Sequence, residues 1–328
     1  MRFRTEVEVK PFAEKIDHNS RIFSIGSCFA DNMAGALRDA KFKVTSNPAG
    51  VLFNPASIHD SLIRFAENKS LTKNDLRSAG NTWFSYDFHS SFNGTEPIGV
   101  LKNMNRSIER GHNALIDADW VIITFGTAWV YLLNEEGRVV ANCHKQPASN
   151  FTRRRLSIEE IVDMYGELMQ GVLADKKVVF TVSPVRHLGD GADENFLSKS
   201  ILKVAVAEIV ERFDNAYYFP AYEILNDDLR DYRFYGEDMC HPSTQAVEYI
   251  RDKFFGAILS EQTMKILPQI SKICKSCGHT PLNKESETYL DFCRLQLDKI
   301  AQLPDVDFEQ ERLHFEREIE LWHTNSKK

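Results

Sequence analysis

The sequence lacks a disulfide pattern, a long apolar run and an excess of positive charge, and each absence narrows its class. Six cysteines are scattered over 328 residues, clustered only at Cys274-x-x-Cys277, which is not the spacing of a disulfide framework. No stretch approaches 18 uninterrupted apolar residues, so no membrane span is expected. Met1 to Ser20 is polar and mixed in charge and has no apolar centre of the secretory kind. A cytoplasmic protein with reduced thiols is the expectation. Lysine and arginine number 40 against 47 acidic residues, a net charge of −7, so nothing advertises a nucleic-acid partner. The densest basic cluster, Arg153-Arg154-Arg155, reads as a solvated face. With 16 glycines and 11 prolines there is no low-complexity bias, and no internal repeat is present. What remains is an ordinary globular composition, long enough for one large α/β domain with additions.

Five segments are apolar and β-branched and read as buried strands: residues 21–25, 42–45, 120–125, 177–182 and 216–219. Helical patterns lie between and after them. Residues 28–40 place Phe29, Met33, Ala36 and Leu37 at helical spacing, and 58–66, 104–115, 158–173, 196–213 and 244–259 behave likewise. Ser157 and Glu160 have the spacing of a capping box. Strands alternating with crossover helices predict a parallel sheet covered on both faces, most simply a flavodoxin-like three-layer α/β/α sheet in the order 2-1-3-4-5. Residues 72–98 break the alternation and are expected as an inserted cap. From Leu267 onward the pattern is helical and charged. The expected division is therefore a domain over 1–262 and a C-terminal helical extension over 263–328.

In such a sheet the ligand crevice lies beyond the carboxyl ends of the strands, near the switch point. Gly26-Ser27-Cys28 ends the first strand there. The glycine permits a tight strand-to-helix turn. At a helix N-terminus the free amides favour a thiolate and can hold an oxyanion. From this tripeptide alone either Ser27 or Cys28 is a candidate nucleophile. The alternative makes Ser27 a helix cap and Cys28 a small buried residue. A second constellation, Asp238-x-x-His241 followed by Pro242-Ser243, falls after the last strand and just before a helix. A carboxylate at that spacing can accept from the imidazole, fix its tautomer and leave the other nitrogen as a base.

G-S-C-F-A at Gly26–Ala30, N-C-H-K at Asn142–Lys145, V-S-P-V-R-H at Val182–His187 and D-M-C-H-P-S at Asp238–Ser243 together resemble the GSCFA family. That family is in turn similar to the SGNH (GDSL-type) esterase superfamily. By motif the resemblance covers roughly residues 1–260 and continues more loosely beyond. It implies an SGNH-hydrolase-like fold and, aligned at Gly26, places Cys28 where the superfamily has its nucleophilic serine. Ser27 then stands at the aspartate position, and Asp238 and His241 match the superfamily's D-x-x-H in full. The resemblance also implies Gly50 as the oxyanion glycine, with Asn54 close behind. The oxyanion asparagine has no equivalent, because the matching stretch is Gly126-Thr127-Ala128. Losing one such donor from a working site typically costs on the order of 3 kcal/mol in the barrier. Thr127, Asn54 and Asn142 are the candidate substitutes.

Other residues fall at the same edge without a superfamily role. His144 and Lys145 are candidate substrate contacts after a hairpin formed by residues 131–133 and 139–141. Arg186 and His187 lie just past the fourth strand, where a guanidinium suits an anionic group. Cys274-x-x-Cys277-x-His279 has only half of a zinc pattern, so no metal or other cofactor is expected. The sum is an esterase or acyltransferase using Cys28, His241 and Asp238 on a small-molecule or saccharide ester, or on an acyl-carrier thioester. A Ser27-dependent esterase and a non-catalytic binding module are the alternatives.

Overall fold

The computed structural model describes residues 4–279, 281 and 283–325. Met1–Phe3 and Ser326–Lys328, at the ends of the two expected domains, lie outside the described residues. Strand β1 (Arg21–Gly26) leads into helix α1 (Cys28–Asp39) and strand β2 (Lys43–Ser46). Helix α2 (Pro55–Ala66), the hairpin β3 (Arg77–Ala79) and β4 (Thr82–Phe84), and helix α3 (Pro97–Ile116) follow. After β5 (Trp120–Phe125) comes an antiparallel set of β6 (Trp129–Leu133), β7 (Arg138–Val140) and β8 (Phe151–Arg155). The chain then forms α4 (Ile158–Gln170), β9 (Lys177–Val182), α5 (Ala192–Arg212) and β10 (Ala216–Phe219). A short α6 (Ala221–Glu223) and α7 (Thr244–Ile258) precede α8 (Glu261–Cys277), α9 (Glu287–Ala301) and α10 (Glu309–Asn325).

The central sheet has the order β10-β9-β5-β1-β2, with parallel pairing. Counting only its own strands along the chain, this is the 2-1-3-4-5 order expected from the alternation. Apolar runs make central strands because both faces are covered. Phe23, Ile25, Ile123, Phe125, Phe180 and Val182 join one cluster with residues of the crossover helices α2 to α5. The alternate residues Ile22, Ile122 and Val179 are equally buried. Local signals agree with the packing. Asn54 caps α2 by accepting from the Ser57 amide at 2.8 Å, with Pro55 as the first helical residue. Ser157 and Glu160 form both arms of a capping box on α4.

The basic triplet is the clearest difference. It is partly solvated, as expected, but it also forms β8, paired with β6. Each guanidinium finds a carboxylate: Arg153 with Asp190, Arg154 with Glu160 and Arg155 with Glu194. Arg153 and Arg155 also stack on Trp129, at 4.1 and 5.2 Å from its ring centroid. Those partners are brought in by the fold, two of them more than 30 positions away.

The chain forms two compact units. One takes residues 4–12, 21–35 and 44–257 and contains the central sheet. In it, Phe84 and Tyr86 from the 72–98 segment pack with Leu133 and Val140 of the β6–β7 hairpin. The other takes residues 13–20, 36–43 and the described residues from 258 onward. Its helices close over two small cores, one of Ile270, Ile273, Val306 and Phe308, the other of Tyr289, Cys293 and Phe315. Cys274 and Cys277 lie on α8 and Cys293 on α9. Among the described residues no group of three ligating side chains is arranged to hold a metal. No helix among them is long and apolar enough to cross a membrane.

Candidate active site

The parallel sheet delivers its carboxyl-end loops to one edge, and the β1–α1 turn is built there from the backbone outward. Gly26 has φ +141°, and a Cβ on it would stand 2.2 Å from the Thr124 carbonyl oxygen, so only glycine fits. Asn47 clamps the turn: its Oδ1 accepts from the Gly26 amide at 2.8 Å, and its Nδ2 donates to Asp31 at 2.9 Å. Ser27 is fully buried, and its hydroxyl has no partner among the described residues. Cys28 is half-buried, and between Ile22 and Ala30 it alone reaches solvent. Burial pushes its thiol up. The amides of Phe29 and of Cys28 itself pull it back, as does Lys199, while Asp31 opposes them.

The second constellation is a turn held by its own backbone. Gly236 N–H donates to the His241 carbonyl at 2.7 Å, and Met239 takes a positive φ of 56°. Asp238 organises the inside of that turn. Its Oδ1 accepts from the amides of Cys240 and His241 at 3.0 and 2.9 Å, and the imidazole Nδ1–H donates to its Oδ2 at 2.6 Å. Those three donors hold the carboxyl far below the usual carboxylate range. With Nδ1 carrying the proton, Nε2 is the basic nitrogen.

Asp238 and His241 line a cavity of about 620 Å³. Asn54, Thr127 and Asn142 line it too, as do Arg186 and His187. Asn54 keeps its carboxamide oxygen on α2, and its amide nitrogen has no partner among the described residues. Thr127 is committed locally: its hydroxyl meets Ser198 at 3.1 Å and accepts from the Trp129 amide at 3.2 Å. Arg186 lies over the Tyr235 ring at 5.2 Å and donates to the Met239 carbonyl at 3.2 Å. Its own amide donates to the Cys240 carbonyl at 3.1 Å, which ties the β9 loop to the Asp238–His241 turn. No carboxylate pairs with Arg186 among the described residues.

Five expected residues stand elsewhere. Ser27 and Cys28 do not line this cavity, and no hydrogen bond joins Cys28 to His241 among the described residues. The Gly50 amide is spent on the Asn47 carbonyl at 2.8 Å, so it has no proton left for an oxyanion. His144 is buried away from the cavity, stacked on Phe84 at 4.4 Å with its Nε2 donating to the Ser85 carbonyl at 2.8 Å. Lys145 is exposed and outside the lining. Both it and His144 adopt positive φ, 56° and 48°. Ala128 is fully buried in the main core.

Several residues at this edge escaped the sequence reading. Trp129, Tyr131, Cys143 and Cys240 line the cavity. Lys199, on α5, is only 2% exposed and donates to the carbonyls of Gly126 and Ser183 at 2.6 and 2.8 Å. Burial lowers its pKa to about 7, with Cys28 drawing it back up. His187, which the sequence did single out, has its Nε2 buried without a partner among the described residues. Burial, then Lys199, then His241 bring its pKa down to about 4. One signal was present: Asn195, Ser198 and Lys199 continue the buried stripe of Leu202, Val206 and Ile209. Polar residues on a buried helical stripe ask for a reason.

The GSCFA family profile matches residues 21–254, and that of the GSCFA domain protein C-terminal domain matches residues 270–321. No curated protein matches the chain. Among solved structures, an acetyl xylan esterase from the rumen bacterium Butyrivibrio proteoclasticus overlaps 78% of this chain and 65% of its own, at 13% identity and a TM-score of 0.36. The chain thus spans less than two thirds of that protein, and no residue role follows from so partial an overlap.

Proposed function

This chain belongs to the GSCFA family, and from that premise we propose that it is an acyl-transferring enzyme, an esterase or acyltransferase of the SGNH kind. Cys28 is its nucleophile, His241 its general base and Asp238 the orienting acid. The observation that carries the reading is the Asp238–His241 hydrogen bond of 2.6 Å at the lip of the cavity, on the sheet edge where β1 hands Cys28 to the head of α1. His241 Nε2 takes the thiol proton as Sγ bonds to the acyl carbon, and returns it to the departing alkoxide or thiolate. Water or a hydroxyl then gives its proton to His241 and takes the acyl group, and the released Cys28 thiolate recovers the proton from the imidazolium. A thioester passes readily to either acceptor, so hydrolysis and transfer use the same machinery.

Ser27 is the weaker nucleophile because its hydroxyl is fully buried, whereas Cys28 is half-buried at the head of α1. The amides at the head of α1 are the first oxyanion donors. The Asn54 carboxamide nitrogen, fixed by the cap that holds its oxygen, is the side-chain donor that stands in for Ala128. Arg186, with no carboxylate partner among the described residues, suits an anionic group on the substrate, such as an acyl-carrier phosphate or a saccharide acid. The proposal extends to a cytoplasmic setting and to a division into residues 1–262 and 263–328, the catalytic part being the first. A binding module of the same fold is the competing reading, favoured by the alanine at position 128. Turnover of a panel of p-nitrophenyl esters and acyl thioesters by wild type, Cys28→Ala and Ser27→Ala separates these. The enzyme reading expects wild type and Ser27→Ala to turn over and Cys28→Ala to be inactive. Full activity of Cys28→Ala would sink it.

A further inference from the structure

We propose that a second, smaller cavity beside the first is a phosphate subsite, walled by Arg186 and Arg230, that holds a phosphate carried by the acyl donor or acceptor; its part in transfer rests on the acyl-transfer reading. This cavity measures about 220 Å³, and its walls include Arg186, Asn226, Arg230, Asp231, Tyr232 and Tyr235. Arg186 stands in the walls of both cavities, the larger being the one that Asp238 and His241 line. A ligand with its reactive end at His241 therefore enters the smaller space by extending past Arg186. Arg186 is held in place for such a contact, since it donates to the Met239 carbonyl at 3.2 Å and lies over the Tyr235 ring at 5.2 Å. That hydrogen bond leaves most of the five guanidinium donors uncommitted.

The charges of the smaller cavity point to an anion. Neither Arg186 nor Arg230 pairs with a carboxylate among the described residues, whereas Arg153, Arg154 and Arg155 on β8 each find one. The cavity's own carboxylate is already engaged. Asp231 Oδ1 accepts from the Arg233 amide at 2.9 Å, and its Oδ2 faces the Arg233 guanidinium at 3.8 Å. A carboxylate fills one guanidinium fork, but a phosphate monoester has three free oxygens and nearly two charges, enough for two forks. So small a space lets both arginines reach one such group. Tyr232, 68% exposed and 6.1 Å from the Tyr235 ring, offers an apolar face at the rim for the carbon skeleton that bears the phosphate. Arg230 belongs to no motif and falls in an irregular stretch between Ile224–Asp228 and Tyr232–Phe234, which hides it in the sequence.

The test is titration calorimetry of the full chain with 4′-phosphopantetheine and with glucose 1-phosphate, each against its phosphate-free form, pantetheine and glucose. At least one phosphate form is expected to bind about tenfold tighter than its phosphate-free partner. An advantage confined to phosphopantetheine assigns the subsite to a carrier thioester, and one confined to glucose 1-phosphate assigns it to a sugar phosphate. Arg230→Gln is expected to abolish the advantage. Arg230 is exposed, and its side chain has no hydrogen bond or ion pair among the described residues, so the variant should fold. Arg212→Gln makes the same change of charge at the end of α5, just before β10 and so at the opposite edge of the sheet, and is expected to keep the advantage. No phosphate advantage in wild type, its retention in Arg230→Gln, or an equal loss in Arg212→Gln overturns the proposal. Binding is read without turnover, so failure of the subsite and failure of the acyl-transfer reading are told apart.

Discussion

Acidification should destabilise this protein through one histidine. His187 Nε2 is buried with no partner among the described residues, beside Phe53 at 5.8 Å between ring centroids. Burial, Lys199 and His241 together lower its pKa from 6.5 to about 4. The unfolded chain takes up the proton near the ordinary value and the folded chain resists it, so the folded state binds fewer protons between those limits. Stability is therefore full above about pH 6.5, falls as the pH drops towards 4, and levels off below. A 2.5-unit gap at about 1.4 kcal/mol per unit amounts to roughly 3 kcal/mol. Urea unfolding of wild type and His187→Leu at half-unit intervals from pH 7.5 to 4 measures it, because the difference between the two curves cancels other titrating groups. The difference should change by about 3 kcal/mol across that window. A flat difference would refute the argument that burial and the neighbouring cations hold His187 neutral.

Gly26→Ala forces a left-handed β-carbon against the Thr124 carbonyl, and should cost about 2–5 kcal/mol in urea unfolding from conformational strain and overpacking. A loss below about 1 kcal/mol would contradict the close approach. Asp238→Asn keeps the shape of the turn but removes the acceptor for Nδ1–H, so acyl-transfer turnover should drop about 10²–10⁴-fold with an unchanged circular dichroism spectrum. Arg153→Ala removes a half-exposed ion pair with Asp190 and a stack on Trp129. Thermal unfolding should report a loss of about 1 kcal/mol, far below that of a core truncation.

The central sheet was readable because its strands are buried on both faces and therefore spell continuous apolar runs between amphipathic helices. The order of Arg21–Gly26, Lys43–Ser46, Trp120–Phe125, Lys177–Val182 and Ala216–Phe219 follows from that alternation. The Phe151–Arg155 strand was not readable, since its arginines carry the marks of a solvated face and their partners Asp190 and Glu194 arrive only with the fold. At the site, Asp238 and His241 were legible because three residues of a turn suffice to join them. Lys199 was hidden by the ordinary preference of lysine for water. His144 misled in the opposite direction: a histidine beside cysteine and lysine looked chemical, yet its ring closes a structural contact with Ser85. Gly50 misled as well, because a glycine at the right place in the chain can have its amide already bonded within its own turn.

The most direct test of the account is the mass of the protein after brief exposure to activated acyl donors, read intact and then by peptide mapping, in wild type and in His241→Gln. The account predicts a single acyl group on the peptide that contains Cys28, persisting longer in His241→Gln than in wild type because transfer onward needs the base. An acyl group on Ser27, Cys143 or Cys240 instead, or no adduct alongside measurable turnover, would contradict it.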